Sequence, residues 1–123
     1  MAKKKILIVD DEPVVSKLLK YAIEKTGIYE VITINESTKA LELIRSTHPD
    51  LLILDVNMPQ LSGTELTDLL KADNALKNIP ILFLTANISD KESEKGLKMY
   101  GYPSFGKPIN MERLFENIEK KLR

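Results

Sequence analysis

The sequence contains no cysteine and only one histidine in 123 residues. Without cysteine, the chain forms neither disulfide bonds nor thiolate metal sites. The single histidine, His48, cannot build a histidine-rich zinc site or share catalysis with a second histidine. Because it precedes Pro49, it is interpreted as a loop residue. Any metal that this chain binds must therefore be held by oxygen atoms.

The sequence also lacks a charge surplus and a long hydrophobic run. Its 18 basic residues balance its 18 acidic ones, so no overall positive field favours direct binding to nucleic acid. The start is basic like that of a signal peptide, but only four apolar residues follow before the first acidic pair. That run is too short for a secretion signal or a membrane span. We expect a cytoplasmic, soluble protein without membrane insertion, and its length fits one domain over residues 1–123.

Apolar segments of strand length alternate with amphipathic helical segments along the chain. The predicted strands are 5–10, 29–35, 50–55, 80–85 and 104–107. The predicted helices are 13 to about 27, about 37–47, one from 62, one over 89–100 and one from 110. Ser62 with Glu65, and Ser89 with Glu92, match the capping box, in which two side chains satisfy free N–H groups at a helix start. Asn110 is predicted to cap the last helix.

Regular alternation of strands and helices predicts right-handed crossovers and a parallel sheet covered by helices on both faces. The fold class is therefore α/β, a single-domain, three-layer (βα)5 doubly wound sheet. The first, third and fourth strands are the most continuously apolar, which places them at the centre of the sheet. The second and fifth strands suit the edges. By analogy, we adopt the flavodoxin-like strand order 2-1-3-4-5, which satisfies these conditions.

Acidic residues end two of the central strands. Asp10 and Asp11 follow the first strand, and Asp55 ends the third. These strands are neighbours in the predicted order, so the carboxylates should meet at one edge of the sheet. Carboxylates this close repel one another unless a cation joins them, and an open oxygen site of this kind suits Mg²⁺ better than Ca²⁺. Thr85 and Lys107, at the ends of the fourth and fifth strands, should add a hydroxyl and an ammonium group.

Short motifs at the ends of these strands resemble the signature of response-regulator receiver domains, including chemotaxis regulators. The motifs are Val9-Asp10-Asp11, Asp55-Val56-Asn57-Met58-Pro59 with Gly63, Leu84-Thr85-Ala86 and Lys107-Pro108. They occur in the order and at the separations typical of the family. The resemblance covers essentially the whole chain.

This resemblance implies that Asp55 accepts a phosphoryl group from a phosphohistidine and forms an aspartyl phosphate. The donor would be a sensor histidine kinase or a histidine phosphotransfer protein, in two-component or phosphorelay signalling. Thr85 and Lys107 would stabilise charge on the phosphoryl oxygens. The resemblance also implies a cis bond between Lys107 and Pro108.

The same resemblance implies a Mg²⁺ cofactor. Asp11 and Asp55 would bind the metal with their carboxylates, Asn57 with its backbone carbonyl, and Asp10 directly or through a metal-bound water. The chain would be a regulator that assists its own phosphorylation and dephosphorylation, not a turnover enzyme. The fourth predicted helix has few apolar residues to anchor it. We therefore expect that it forms, with the fifth predicted strand and the fifth predicted helix, the surface that binds a downstream protein target.

The sequence departs from the family pattern near its end. Receivers usually carry an aromatic residue three positions before the lysine, and its rotamer follows the threonine. Here that position is Ser104, with Phe105 one residue later. Because successive strand residues face opposite sides of a sheet, Phe105 should point to the other face. Tyr100 or Tyr102 could take the place of the usual aromatic residue. Asn57 and Asn87 occupy positions that tune phosphoryl lifetime in the family.

Three other functions are weighed against phosphoryl transfer. The chain could be a docking module of the same family that acts without phosphorylation. A haloacid-dehalogenase-like, Mg²⁺-dependent phosphatase also uses an aspartate nucleophile, but in an Asp-x-Asp pattern, whereas Asp10 and Asp11 are adjacent. A flavodoxin-like cofactor binder needs a Ser/Thr/Gly-rich phosphate loop, and Asp10-Asp11-Glu12 would repel phosphate.

Overall fold

The computed structural model describes residues 3–86 and 101–123, together with the backbone of 98 and 99. Its elements, in chain order, are β1 (Lys4–Val9), α1 (Pro13–Glu24), β2 (Tyr29–Ile34), a 3-10 turn (Ser37–Lys39), α2 (Ala40–Thr47), β3 (Leu51–Asp55), α3 (Gly63–Lys71), β4 (Ile81–Thr85), β5 (Lys98–Met99), β6 (Tyr102–Gly106) and α4 (Met111–Leu122). In this part of the chain, no helix has the length and apolar character that crossing a membrane requires.

The strands form one sheet in the order β2-β1-β3-β4-β6-β5. The first five in this order are mutually parallel, and their arrangement is the predicted order 2-1-3-4-5. The predicted fold class is therefore confirmed. β5 adds a short antiparallel strand beyond β6.

Two apolar clusters cover the two faces of the sheet. Alternate residues of β1 and β3, such as Ile8 and Ile53, pack with α1 and α4. The residues between them, such as Leu7 and Leu52, pack with α2 and α3. Strands covered on both faces need apolar residues at every position, which is why these strands lack polar alternation. The carboxyl edge of the sheet is thus attached to a core buried on both sides.

The predicted helix starts are borne out at two places. The Ser62 hydroxyl accepts a hydrogen bond from the Glu65 backbone N–H, and the Glu65 carboxylate accepts one from the Ser62 N–H. Asn110 caps α4 by accepting from the Arg113 N–H. The predicted second helix begins instead as a 3-10 turn, which continues into α2 at Ala40.

The helix predicted over 89–100 lies mostly outside the described residues, as does its capping pair, Ser89 with Glu92. Its last turn is wrong, because Lys98–Met99 form a strand paired antiparallel with residues 102 and 103. The chain reverses at Gly101, whose φ of 83° is one that glycine adopts without steric cost. The same pairing starts β6 at Tyr102, two residues before the predicted strand start at 104.

Candidate functional site

Acidic side chains meet at the carboxyl edge of the sheet, as the sequence predicts. β1 and β3 run parallel with Val9 opposite Leu54, so Asp10 and Asp55 follow at matching positions. Asp10 is 0% exposed and Asp55 is 1% exposed. Asp10, Asp11, Glu12 and Asp55 each offer a carboxylate oxygen, and these oxygens lie within 4.8 Å of one another.

Backbone contacts fix the position of Asp55. The Asn57 N–H donates to Asp55 Oδ1 over 3.2 Å, and the Val56 N–H donates to the Leu84 carbonyl over 2.8 Å. The Gly63 N–H in turn donates to the Val56 carbonyl over 3.1 Å. The loop after β3 therefore folds back on Asp55 before α3 begins.

A second set of contacts fixes the turn that carries Asp10. The Glu12 N–H donates to Asp10 Oδ1 over 2.9 Å. Asn35, just after β2, donates its amide to the Asp10 carbonyl over 2.7 Å and to the Ser16 hydroxyl over 3.1 Å. The turn between β1 and α1 is thus held from both sides, which aims its carboxylates into the cluster.

Lys107 enters the acidic cluster from the end of β6. Its N–H donates to the Thr85 carbonyl over 3.1 Å, and its bond to Pro108 is cis, as expected. Its Nζ lies 2.7 Å from Glu12 Oε1, 3.1 Å from Asp10 Oδ2 and 3.3 Å from Asp55 Oδ2. The ammonium group therefore supplies positive charge to three of the carboxylates.

Burial and neighbouring charges shift the pKa values in this cluster. The pKa of Asp55 is raised to about 7, mainly by burial and next by the charge of Asp10, while Lys107 acts in the opposite direction. Burial by itself lowers the pKa of Lys107, but hydrogen bonds to Glu12 and Asp10 and the charges of Asp10 and Asp55 raise it overall. At neutral pH, Lys107 is a cation.

Thr85, the predicted hydroxyl of the site, ends β4 and is buried. Its hydroxyl donates to Asn57 Oδ1 over 3.2 Å. Thr85 therefore contacts the loop that follows Asp55. Of the other predicted positions near the site, Asn87 lies outside the described residues.

The residues of the cluster fit a hard divalent cation. All of the donors are carboxylate oxygens on two neighbouring turns, and Mg²⁺ prefers such ligands. The predicted ligand carboxylates, Asp10, Asp11 and Asp55, lie together in this group.

Glu12 is the residue of the cluster that the sequence analysis did not assign. It lies closer to Lys107 Nζ than either Asp10 or Asp55 does. Its place directly after two aspartates and before Pro13, at a helix start, is the signal that could have identified it.

The aromatic residues near β6 follow the predicted departure from the family pattern. Phe105 packs in the cluster formed with α1 and α4. Ser104 is buried and lies opposite Phe83, which belongs to the cluster on the other face. The Tyr102 ring packs edge-on against Phe83 with 6.0 Å between centroids, and Lys71 Nζ lies 4.7 Å from the centre of the Tyr102 ring. Tyr102 thus occupies the Ser104 side of the sheet, while Tyr100 lies outside the described residues.

Comparisons with known proteins identify the family of this chain. The family model described as response regulator receiver domain matches residues 6–119. The polar-differentiation response regulator DivK of Brucella ovis is 37% identical over 120 residues, covering 97% of this chain and 96% of that protein. Among solved structures, Vibrio cholerae chemotaxis protein CheY4 is 30% identical with a TM-score of 0.82, covering 98% of this chain and 100% of that chain. A putative response regulator from Chloroflexus aurantiacus is 29% identical with a TM-score of 0.85, covering 98% of both chains.

The family match includes both acidic strand ends, the Thr85 strand and the Lys107 turn. Receiver domains of this family bind Mg²⁺ in an acidic pocket, and in general they are not turnover enzymes. The chain belongs to the response-regulator receiver domains of two-component signalling.

Proposed function

We propose that this chain accepts a phosphoryl group on the Asp55 carboxylate and thereby switches a surface that binds another protein. The donor is a phosphohistidine on a sensor histidine kinase or a histidine phosphotransfer protein, so the chain acts in the cytoplasm, where such donors are charged from ATP. One observation carries the proposal. The buried Asp55 carboxylate lies beside other carboxylates, which suit a cation, and 3.3 Å from the Lys107 ammonium group.

In the proposed reaction, an Asp55 carboxylate oxygen attacks phosphorus, and the bond between phosphorus and the histidine nitrogen breaks. The bonding pair returns to the imidazole ring, and Asp55 becomes an acyl phosphate. Oδ1 is held by the Asn57 N–H, which orients the carboxylate. With a pKa of about 7, Asp55 is substantially ionised at neutral pH and is available as the nucleophile.

The chain's own residues position and neutralise the transferred group. Asp10, Asp11 and Asp55, with the Asn57 backbone carbonyl, would hold Mg²⁺, which supplies positive charge for the phosphoryl oxygens. The Lys107 ammonium group, already beside Asp55, contacts an incoming oxygen after a small movement. The Thr85 hydroxyl leaves Asn57 to donate to another oxygen, so the ends of β4 and β6 move when the group arrives.

The phosphodonor needs a surface beside Asp55, and α1 offers one. Val14 is 70% exposed and Leu18 is 65% exposed, although both are large apolar residues. A cavity of about 450 Å³ runs from Leu18 to Lys107 and Ile109. This donor surface, defined by Val14, Leu18 and Ile109, is apolar and borders the lysine of the site. We assign it to the protein that carries the phosphohistidine.

The surface that binds the downstream protein target differs from the donor surface. It comprises β6 and α4, because β6 carries the Lys107 turn and α4 follows that turn directly. We also assign to this surface the fourth predicted helix, which lies mostly outside the described residues. The downstream protein target binds there. The chain remains a stoichiometric phosphoacceptor that assists gain and loss of its own phosphoryl group.

The test is stoichiometric labelling by a small phosphodonor, acetyl phosphate, with Mg²⁺ or with EDTA. Wild type should gain one acid-stable, base-labile acyl phosphate only with Mg²⁺, and Asp55→Asn should gain none. Asp68→Asn, an exposed aspartate on α3, is the matched control and should label like wild type. Labelling that survives in Asp55→Asn would remove Asp55 from this role. Continuous phosphate release from a phosphomonoester would instead favour the phosphatase. Absence of labelling in wild type would favour the docking module.

A further inference from the structure

Glu12 is fixed in place by its backbone, while its side chain is not used to cap the helix that follows. Its N–H donates to Asp10 Oδ1 over 2.9 Å, and its carbonyl accepts from the Ser16 N–H over 3.2 Å. It precedes Pro13 as the N-cap residue of α1, yet its carboxylate makes no capping hydrogen bond. That carboxylate extends instead to Lys107.

Lys107 lies nearer to Glu12 than to Asp55, the proposed phosphoacceptor. Nζ lies 2.7 Å from Glu12 and 3.3 Å from Asp55. The Glu12 side chain is 58% exposed, whereas that of Asp55 is 2% exposed. Glu12 is therefore the solvent-exposed partner of the ammonium group, whereas Asp55 and Asp10, the latter 3.1 Å from Nζ, are its buried partners.

Glu12 and an incoming phosphoryl group compete for the same cation. A phosphoryl group on Asp55 brings further negative charge to a place where carboxylate oxygens already lie within 4.8 Å of one another. To contact that group, Lys107 must loosen its shortest ion pair, the one with Glu12. The cost of loosening this pair adds to the barrier for phosphoryl transfer.

We propose that Glu12 is a positioning residue that retains Lys107 in their ion pair and slows phosphorylation of Asp55. The inference rests on the proposed function for its kinetic consequence. The ion pair itself is independent of that function. Glu12 acts through Lys107 and does not accept the phosphoryl group.

The first experiment measures the rate of labelling by acetyl phosphate in Mg²⁺. Glu12→Gln should label about two- to fivefold faster than wild type, the range expected for an ion pair with one solvent-exposed partner. Glu36→Gln is the matched control, because it makes the same change in net charge but removes an ion pair with Lys39, on another part of the surface. It should leave the rate unchanged. An unchanged or slower rate in Glu12→Gln would overturn the proposal.

A double-mutant cycle separates the action of Glu12 through Lys107 from direct repulsion of the donor. In a Lys107→Ala background, Glu12→Gln should no longer increase the labelling rate. The same increase in both backgrounds would mean that Glu12 repels the anionic donor directly, and the proposal would be wrong.

A third measurement does not depend on phosphorylation. The ¹⁵N NMR signal of the Lys107 ammonium group, assigned by its loss in Lys107→Arg, should be visible in metal-free wild type because its protons exchange slowly. In Glu12→Gln it should broaden through faster exchange with water, and in Glu36→Gln it should not. If wild type fails to label while this signal responds, the proposed function fails but the ion pair stands. If the signal is identical in Glu12→Gln, Glu12 does not position Lys107.

Discussion

Gly63 lies directly against the backbone of Asp55. A Cβ atom at this position would overlap the Asp55 carbonyl oxygen and lie 3.0 Å from both the Asp55 carbonyl carbon and the Val56 Cα. Gly63 is the first residue of α3, so the absence of a side chain lets this helix start beside the proposed phosphoacceptor. The helix start and the position of Asp55 are therefore coupled.

Replacing Gly63 with alanine should lower both stability and phosphorylation. Relief of the overlap requires the loop after β3 to move, at a cost of about 1–3 kcal/mol in the free energy of unfolding. That movement displaces Asp55. Labelling by acetyl phosphate should therefore slow at least about tenfold, which corresponds to 1.4 kcal/mol in the transition state. Urea denaturation and the labelling rate measure the two effects.

Gly27→Ala is the control for Gly63→Ala. Gly27 has a φ of 80° and open space around it, so alanine there costs about 1–2 kcal/mol through backbone strain alone. This variant should lose stability and label normally. Equal loss of labelling in both variants would contradict a specific link between Gly63 and Asp55.

Asp55 should make stability depend on pH in the absence of metal. Its pKa is raised to about 7, first by burial and then by the charge of Asp10, so the folded protein holds a proton that the unfolded chain releases near pH 4. Stability from this group is therefore fully present below pH 4 and is lost as the pH rises towards 7. Asp55→Asn removes this loss, so it should be more stable than wild type above pH 7, by an amount on the order of a few kcal/mol.

The measurement is urea denaturation from pH 4 to 8 in EDTA. The difference in unfolding free energy between Asp55→Asn and wild type should grow with pH and level off above pH 7. Asp68→Asn, with its side chain in solvent, should run parallel to wild type. A constant difference between Asp55→Asn and wild type across this range would mean that Asp55 does not titrate there.

Charge on the donor surface should weaken transfer from a protein donor. Leu18→Asp places a carboxylate on the exposed apolar face of α1, where the phosphodonor must exclude water to dock. The ratio of labelling by a phosphorylated histidine phosphotransfer protein to labelling by acetyl phosphate should fall more than about tenfold, equivalent to 1.4 kcal/mol of docking energy.

Leu69→Asp is the matched control for Leu18→Asp. Leu69 is a 44% exposed leucine on α3, outside the donor surface, and this variant should keep the wild-type ratio. A similar fall in both variants would show that the donor docks elsewhere or that added charge acts generally.

Ser104 should not accept the aromatic residue that is usual at its position in the family. It is 1% exposed and lies opposite Phe83, and the Tyr102 ring already packs against Phe83. A larger side chain must displace these rings, so Ser104→Tyr should lose about 1–3 kcal/mol of unfolding free energy. Ser104→Ala, which keeps the small volume, should lose less. Equal stability of Ser104→Tyr and wild type would mean that this part of the core has room for a third ring.

The sheet and most of the site could be predicted because their determinants are local in sequence. Continuous apolar runs mark strands covered on both faces. Residues that follow neighbouring parallel strands meet at the carboxyl edge of the sheet, independently of the loop conformations. Asp10 and Asp55 are therefore predictable partners. The capping boxes follow from residues three apart, and the Ser62 pair is present as expected.

The features that sequence analysis missed depend on geometry between distant segments. Glu12 and Lys107 are 95 positions apart. Their contact requires the turns after β1 and β6 to lie close enough for the two side chains to meet. β5 has only two residues, too few to show a strand periodicity, and forms because the chain reverses at Gly101. Its pairing with β6 overrides the helix predicted at Lys98 and Met99.

The hydrogen bonds of Asn35 have a consequence for how the protein assembles. Asn35 follows β2, yet its amide holds the Asp10 carbonyl and the Ser16 hydroxyl, so the edge strand completes the turn that carries the first carboxylate. During folding, β1 and β3 alone would bring Asp10 and Asp55 together with one turn unsupported. The proposed cation site therefore depends on the edge strand β2 as well as on β1 and β3.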